Sequence, residues 1–390
     1  MLRRAVGPEE HPMPWKVAPV SELRIALVHY VRTQHHTVAD AAREFGVSRK
    51  TAHKWLAVYD DQPQQPLLDR SRRPNRSPQK TADAIEQLVV DVRQRFNWGP
   101  RKIHAYLQSP QHTLPSIRTI ASILKRSGCI DPPPAPPPDL QRFERPVPND
   151  LWQIDHKGPI EVERQKLVPL SILDDHSRYC LAFEPLVDRT MARAWNVLWN
   201  VFGDVGLPSS ILTDNAFNTM GIDRPVGLSW FDARLIRLGI RPIHGRPYHP
   251  QTQGKVERMH GSVDRELLYF NARRDSTSHF IADAHAWRTT YNNLRPHEAL
   301  GDHPPVTRWR PSNRKRPDQL PEPNYPSGSL TRKVCQEGIV RYSGYRFLVG
   351  RGISSQFVRI EDHAKELKIF YCHHELRSLS TDQLLKDKVI

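Results

Sequence analysis

The sequence predicts a multidomain chain: all-α helix-turn-helix units first, then an α/β core with a mixed sheet, then a small all-β module. Three patterns predict this. Between residues 21 and 127 apolar residues recur at helical spacing around two tight turns. From residue 150 strand-like runs alternate with helical ones, and from about 330 to 380 apolar and polar residues alternate singly. The run PPPAPPP at 132–138 joins neither helix nor sheet ladders and marks the boundary between the first pattern and the second.

In the first unit, 1–64, SELRIALVHYVR supplies an amphipathic helix. TVADAAREFGVSRKTAHKWLAVY then gives a helix from about Val38 to Phe45, a turn at Gly46-Val47-Ser48, and a helix from about Arg49 to Tyr59. Gly46 tolerates the left-handed backbone of such a turn, and the Ser48 hydroxyl caps the next helix. Ala42, Val47, Ala52 and Trp55 close a small core. Arg49, Lys50, His53 and Lys54 fall near the front of the last helix, where groove contacts are made, and are expected to bind DNA.

The second unit, 65–130, begins with a basic connector. Arg70, Arg72, Arg73, Arg76 and Lys80 have no acid between them; a phosphate-contacting arm and a solvated linker both fit. TADAIEQLVVDVRQRF, WGPRKIHAYLQ and SIRTIASILKRSG read as three helices, the last stopped by Gly128. They suggest another helix-turn-helix, and two in tandem track a longer DNA site. Residues 131–148 form a Pro-rich linker, semi-rigid at about 3.1 Å per residue.

Composition agrees with a nucleic-acid partner. Lys plus Arg number 57 against 42 Asp plus Glu, a net charge of +15, and each phosphate neutralised by such a surface releases condensed counterions. No apolar run is long enough for a membrane span, and MLRRAVGPEEHPMPWK lacks the apolar stretch of a signal peptide. A soluble cytoplasmic protein, at the nucleoid when bound to DNA, is expected. Cys129, Cys180, Cys335 and Cys372 have neither zinc-ligand nor redox spacing and read as reduced thiols.

The core, 149–310, carries strands in LWQIDHKG, KLVPLSILDD, RYCLAFEPL, SSILTDN and IRPIHG, with a strong helix in TMARAWNVLWNVFGDVG. No Gly-rich loop follows the first strand, which excludes a dinucleotide site. A basic linker, 311–329, leads to the β module, 330–390, which either binds DNA or packs on the core.

Within the core, Asp155 lies in the first strand and Asp214 ends a later one. Glu257 lies where the chain turns helical, flanking an apolar face of Val256, Met259, Val263, Leu267 and Phe270. Transfer of a phosphodiester needs an activated oxygen and a stabilised leaving alkoxide. Two hard cations about 3.5–4 Å apart do both, and carboxylates are their natural ligands. Periodicity alone does not choose these acids over Asp174, Asp175, Asp188, Asp264 or Glu266.

WQIDHKG, LSILDDHSRY, ILTDN, YHPQTQGKVERMHG and YNNLRPHEALG, in this order and rough spacing, resemble the catalytic core of insertion-sequence transposases, which share the retroviral integrase fold. The resemblance covers 150 to about 310 and is most specific over His249–Arg258. It implies a ribonuclease-H-like fold and a DDE triad, carried onto Asp155, Asp214 and Glu257, holding two Mg²⁺ ions, or Mn²⁺. It further implies double-stranded DNA as partner, as terminal inverted repeats and as target, with 3′-end nicking and strand transfer. Joining two ends calls for a homodimer or larger assembly. The alternatives are a ribonuclease-H-like nuclease without strand transfer, or a catalytically silent regulator. His156, Asn215, His249, Gln253, Lys255, Arg258 and Arg265 are candidate DNA or water contacts. Asp174 and Asp175 read as structural, and Arg295, Pro296 and His297 as fixing a helix end. The chain departs from the family in three places. Ala216 stands where Gly is usual. The spacing from Asp214 to Glu257 is long, with the excess assigned to Met220–Ser229. Asp264, followed by Arg265, stands where relatives carry a base.

Overall fold

The computed structural model describes residues 20–63, 67–69, 80–108, 114–129, 144–214, 227–244, 254–269, 273–363 and 366–380. The chain divides into two compact units, 1–80 and 81–390.

The first unit holds α1 (Val20–Arg32), α2 (Val38–Glu44) and α3 (Arg49–Asp61). Thr37 and Ser48 cap α2 and α3 by accepting the amides of Asp40 and Thr51 at 3.2 and 3.1 Å. Gly46, at φ +62°, makes the turn between them. Leu27, Ala41, Ala42 and Ala52 form one half of the core, and Val28, Trp55, Leu56 and Leu67 the other.

The second unit opens with α4 (Asp83–Phe96), α5 (Pro100–Leu107) and α6 (Ile117–Arg126), packed around Val89, Trp98, Ile103, Ile120 and Ile123. This bundle is bonded to the α/β core. Asn97 Nδ2 donates to the Arg265 carbonyl at 2.8 Å, Arg101 pairs with Glu298 and Asp302 at 2.9 and 3.0 Å, and Lys102 lies 3.5 Å from Glu266.

Burial, with Arg295 adding repulsion and Glu266 opposing it, brings the Lys102 ammonium down to about 8. Its folded pKa thus lies below its unfolded one, so its charge costs stability below pH 8, a cost that fades between pH 8 and about 10. Lys102→Met is expected to stabilise the protein by about 1–3 kcal/mol at pH 7 and to lose that advantage by about pH 10. Thermal melts across this range check it; a gain independent of pH would assign the effect to packing.

The core carries β1 (Leu151–His156), β2 (Ile160–Val162), β3 (Gln165–Asp174), β4 (Cys180–Leu186), α7 (Met191–Val205), β5 (Ser210–Thr213), α8 (Trp230–Arg237), β6 (Arg241–His244), α9 (Gly254–Val263) and α10 (Thr277–Asn293). The sheet runs β2-β3-β1-β5-β6, with β4 also on β3. β1 is antiparallel to β3 and parallel to β5, and β5 is parallel to β6. The period-2 side-chain alternation of β1 sorts the two faces. Trp152 and Ile154 pack with Trp195, Leu198, Phe202, Phe231 and Leu235 from α7 and α8. On the other face α9 and α10 bury Val256, Met259, Val263, Trp287 and Tyr291 against Leu173 and Phe183.

The C-terminal module has β7 (Thr331–Lys333), β8 (Ile339–Tyr342), β9 (Tyr345–Leu348), β10 (Phe357–His363), β11 (Glu366–Tyr371) and β12 (His374–Ser380). They form a sheet β12-β11-β10-β7 and a hairpin β8-β9. The module shares a core with Ala233 and Ile236 of α8 and with Leu228 just ahead of it. Gly350, at φ +123°, allows this approach, because a Cβ there would stand 2.2 Å from the Leu228 nitrogen. The basic segment before the module is tied to the core. Arg314 donates to the carbonyls of Pro208, Leu238 and Gly239 at 2.6, 2.9 and 2.9 Å, and Arg316 to that of Trp199 at 3.0 Å. Among the described residues no helix is long and apolar enough to cross a membrane.

Candidate active site

Asp155 and Asp214 come together through strand register. Ile154 of β1 lies opposite Thr213 of β5, and the next residue of each parallel strand is the aspartate. Burial, and then the like charge of Asp214, raises Asp155 to about 6. Glu257 adds repulsion, while the His156 amide and Arg189 oppose it. Three carboxylates from two strand ends and one helix thus share an electrostatic neighbourhood. Glu257 itself is exposed, on the first turn of α9.

Contacts at three levels hold α9 beside β1. At the first, Lys255 Nζ meets Asp175 Oδ1 at 2.6 Å, and the same Oδ1 accepts Gln153 Nε2 of β1 at 2.8 Å. At the second, His260 lies 3.8 Å from Asp155 Oδ2 and 2.8 Å from Ser171 Oγ. At the third, Lys157 Nζ meets Asp264 Oδ1 at 2.7 Å. Two residues of strand advance about 6.6 Å and four of helix about 6 Å. Asp155 and Lys157 therefore match His260 and Asp264 in step, and Glu257 falls between the first two levels.

Beyond Asp264 the helix loosens into a π turn, Asp264–Leu268, with the Tyr269 amide bonded to the Asp264 carbonyl at 2.9 Å. Such turns recur beside functional sites. This one directs Glu266 inward, where Arg295 holds both its oxygens at 2.9 and 3.0 Å. Arg295 also donates to Ser262 Oγ at 2.8 Å and to His297 Nε2 at 3.1 Å. Burial, with Arg295 next in order, pushes His297 down to about 2, so its ring is neutral and accepts. Burial likewise brings His260 and His156 down to about 4.

Asp174 and Asp175 are consumed by structure. Asp174 accepts the Asn149 amide at 2.7 Å and the Ser177 amide and hydroxyl at 2.8 and 2.6 Å. Asp175 accepts the Arg145 amide at 2.8 Å in addition to its α9 and β1 contacts. Lys255, expected at DNA, has a side chain only 15% exposed and is engaged by Asp175 as a strut. Arg258 and Arg265 are exposed on the α9 arm, and Arg49, Lys50, His53 and Lys54 are exposed on α3. Arg70, Arg72, Arg73, Arg76, Asn215, Ala216, His249, Gln253 and the stretch from Met220 to residue 226 lie outside the described residues. Phe270, expected on the apolar face, does too.

Sequence reasoning missed Lys157, His260 and Arg189. Lys157 follows Asp155 by two, hence on the same strand face, and His260 follows Glu257 by three, hence on a neighbouring helical position. Both were available from spacing. Arg189, an exposed cation that acts electrostatically on Asp155 and His156, carried no such signal. At the family's basic position Asp264 instead pairs with the ammonium of Lys157, just past the end of β1.

Among the described residues no three His, Cys, Asp or Glu side chains stand close enough to grip an ion as placed. The donor chemistry fits one nonetheless. All three acids offer hard oxygen ligands, and their mutual repulsion at Asp155 is what a divalent cation relieves.

Comparison with known proteins agrees with this architecture. Integrase core domain models match residues 145–250 and 238–305, a helix-turn-helix domain matches 23–75, and a homeodomain-like domain matches 51–124. Helix-turn-helix domains ahead of an integrase core define a DNA-handling protein of the transposase and integrase class, within the polynucleotidyl transferases. A Geobacillus stearothermophilus protein assigned as the transposase of insertion sequence element IS5376 is 22% identical over 364 residues, 87% of this chain and 83% of that protein. The Gag-Pro-Pol polyprotein of Simian retrovirus SRV-2 is 35% identical over 121 residues, 31% of this chain but 6% of the polyprotein. The chain thus carries a retroviral-integrase-type core domain behind helix-turn-helix domains, the arrangement that resembles insertion-sequence transposases. Among solved structures, a simian T-cell lymphotropic virus intasome chain is 17% identical with a TM-score of 0.36, covering 76% of this chain and 99% of its own. The catalytic core of HTLV-2 integrase in complex with magnesium is 17% identical with a TM-score of 0.33, covering 42% of this chain and 97% of its own.

Proposed function

We propose that the protein binds the terminal inverted repeats of its element through the helix-turn-helix units, nicks the 3′ ends, and transfers them into target DNA at a site formed by Asp155, Asp214 and Glu257. The supporting observation is the parallel register that sets the Asp155 and Asp214 strand ends side by side, with repulsion from Asp214 and Glu257 reaching Asp155. Their oxygens would hold two Mg²⁺ ions, with Mn²⁺ as a substitute. When bound, such a pair would supply activation of the attacking oxygen and stabilisation of the leaving one. The chain itself orients the carboxylates. In this reading β1 and β5 set Asp155 beside Asp214, and the first turn of α9 supplies Glu257. Arg258 and Arg265 offer cations to the phosphates, and no protein nucleophile is required. Joining two ends makes a dimer or larger assembly the working form.

The test is incubation of purified protein with element ends, a target plasmid and Mg²⁺. Joined products that vanish in Asp155→Ala and Glu257→Ala are expected. Nicked ends without any joined product would make the protein a nuclease, and full activity in both variants would remove the triad. For the helix-turn-helix, Arg49→Ala, Lys50→Ala and Lys54→Ala are each expected to lower the salt slope of end binding by about 1, the signature of one lost phosphate contact. Binding measured from low to moderate salt reads this; an unchanged slope would place that side chain away from the DNA.

A further inference from the structure

Among the side chains around the triad, His260 of α9 reaches two strands at once. It stands on α9, one turn after Glu257. Asp155 of β1 and Ser171 of β3 are cross-strand partners, so their side chains share the sheet face that α9 covers. The His260 ring lies over this pair, with Nε2 2.8 Å from Ser171 Oγ and Nδ1 3.8 Å from Asp155 Oδ2. Its side chain is 12% exposed, so it has little freedom to swing away.

The two contacts differ in kind. The one to Ser171 is a hydrogen bond and fixes the plane of the ring. The one to Asp155 is beyond hydrogen-bond length, so the neutral ring meets the carboxylate only through contact and its dipole. It steers the carboxylate without filling Oδ2, which leaves that oxygen open to a cation.

We propose that His260 is a positioning residue that, anchored by Ser171, orients the Asp155 carboxylate and sets the divalent-cation affinity of the site. This rests on the reading of Asp155 and Glu257 as cation ligands. Outer partners of metal-binding carboxylates are worth about 10–100-fold in affinity.

The experiment is Mn²⁺ binding to the full-length protein, with free Mn²⁺ counted by electron paramagnetic resonance, beside a thermal melt of each variant. The wild type is expected to bind and Asp155→Ala to lose binding. His260→Ala is expected to bind about 10–100-fold more weakly. His260→Asn places an amide near the position of Nδ1 but gives up the Ser171 anchor, and is expected to recover part of the affinity. His260→Gln reaches the position of Nε2, keeps only the Ser171 contact, and is expected to remain weak. A role in packing alone would move Asn and Gln together with the melting temperature, and that result would overturn the proposal. Wild-type binding by His260→Ala would overturn it while leaving the triad intact. Wild-type binding by Asp155→Ala would overturn the triad, and this inference with it.

Discussion

Asp155→Asn is expected to abolish DNA cleavage and to make the protein more stable. The loss of activity should be on the order of 10³-fold or more, the scale seen when one member of a cooperating catalytic group is removed. The gain in stability has a separate origin. Burial and the charge of Asp214 raise Asp155 to about 6, against an ordinary carboxylate value near 3.9. The folded protein therefore favours the protonated acid, and its stability falls as pH rises from about 4 to about 6 and stays lowered above. The neutral amide escapes this penalty, so Asp155→Asn should gain about 1–3 kcal/mol above pH 6. That is a rise of a few degrees in a chain of this size. Melts in chelator at pH 8 and pH 4 check both halves: the gain should be present at the first and absent at the second. Mg²⁺ should narrow the gap by raising the wild type. Glu257→Gln is the control. Glu257 is exposed, so the variant should lose cleavage without gaining stability. A destabilised Asp155→Asn at pH 8 would mean that Asp155 is a structural acid.

This trade between stability and activity bears on what the sequence could disclose. Strand and helix patterns place Asp155, Asp214 and Glu257 in the right kinds of element, because burial on one face is written into spacing. Val256, Met259, Val263 and Leu267 are buried as their spacing predicts. The caps at Thr37 and Ser48 are equally local. β2, β7 and β12 escaped notice. β2 and β7 are three residues each, and β12 holds the mixed run HELRSLS, with a single buried residue, Leu379. The assignment of the triad rested on motif blocks, since register decides which acids meet and register is a long-range property. The same limit hid the pairing of Lys157 with Asp264. Each residue is legible alone, but the match between a strand step of two and a helix step of four appears only once α9 lies along β1. The basic segment after residue 310 read as a linker for a related reason. Its arginines are engaged by backbone carbonyls, which no side-chain pattern announces.

Arg295→Ala is expected to cost about 3–5 kcal/mol, the penalty for breaking a buried ion pair from one side. Arg295 and Glu266 are each only 6% exposed. Without the guanidinium, Glu266 keeps Lys102 at 3.5 Å as its cation, and Ser262 and His297 lose the donor that joins them. The damage should not stop at stability. Glu266 belongs to the π turn that continues α9, so releasing it loosens the helix that carries Glu257, and cleavage should fall even at temperatures where the protein stays folded. The double variant Arg295→Met/Glu266→Met separates the causes. Two apolar side chains of similar length remove both charges, so the double variant should be much less destabilised than Arg295→Ala. If its cleavage nevertheless stays low, the ion pair acts through the position of α9. If cleavage recovers with stability, the pair matters to the site only by keeping the chain folded. Denaturant unfolding of the three proteins supplies the energies. A loss below about 1 kcal/mol for Arg295→Ala would place this network among surface pairs, which are worth no more than that.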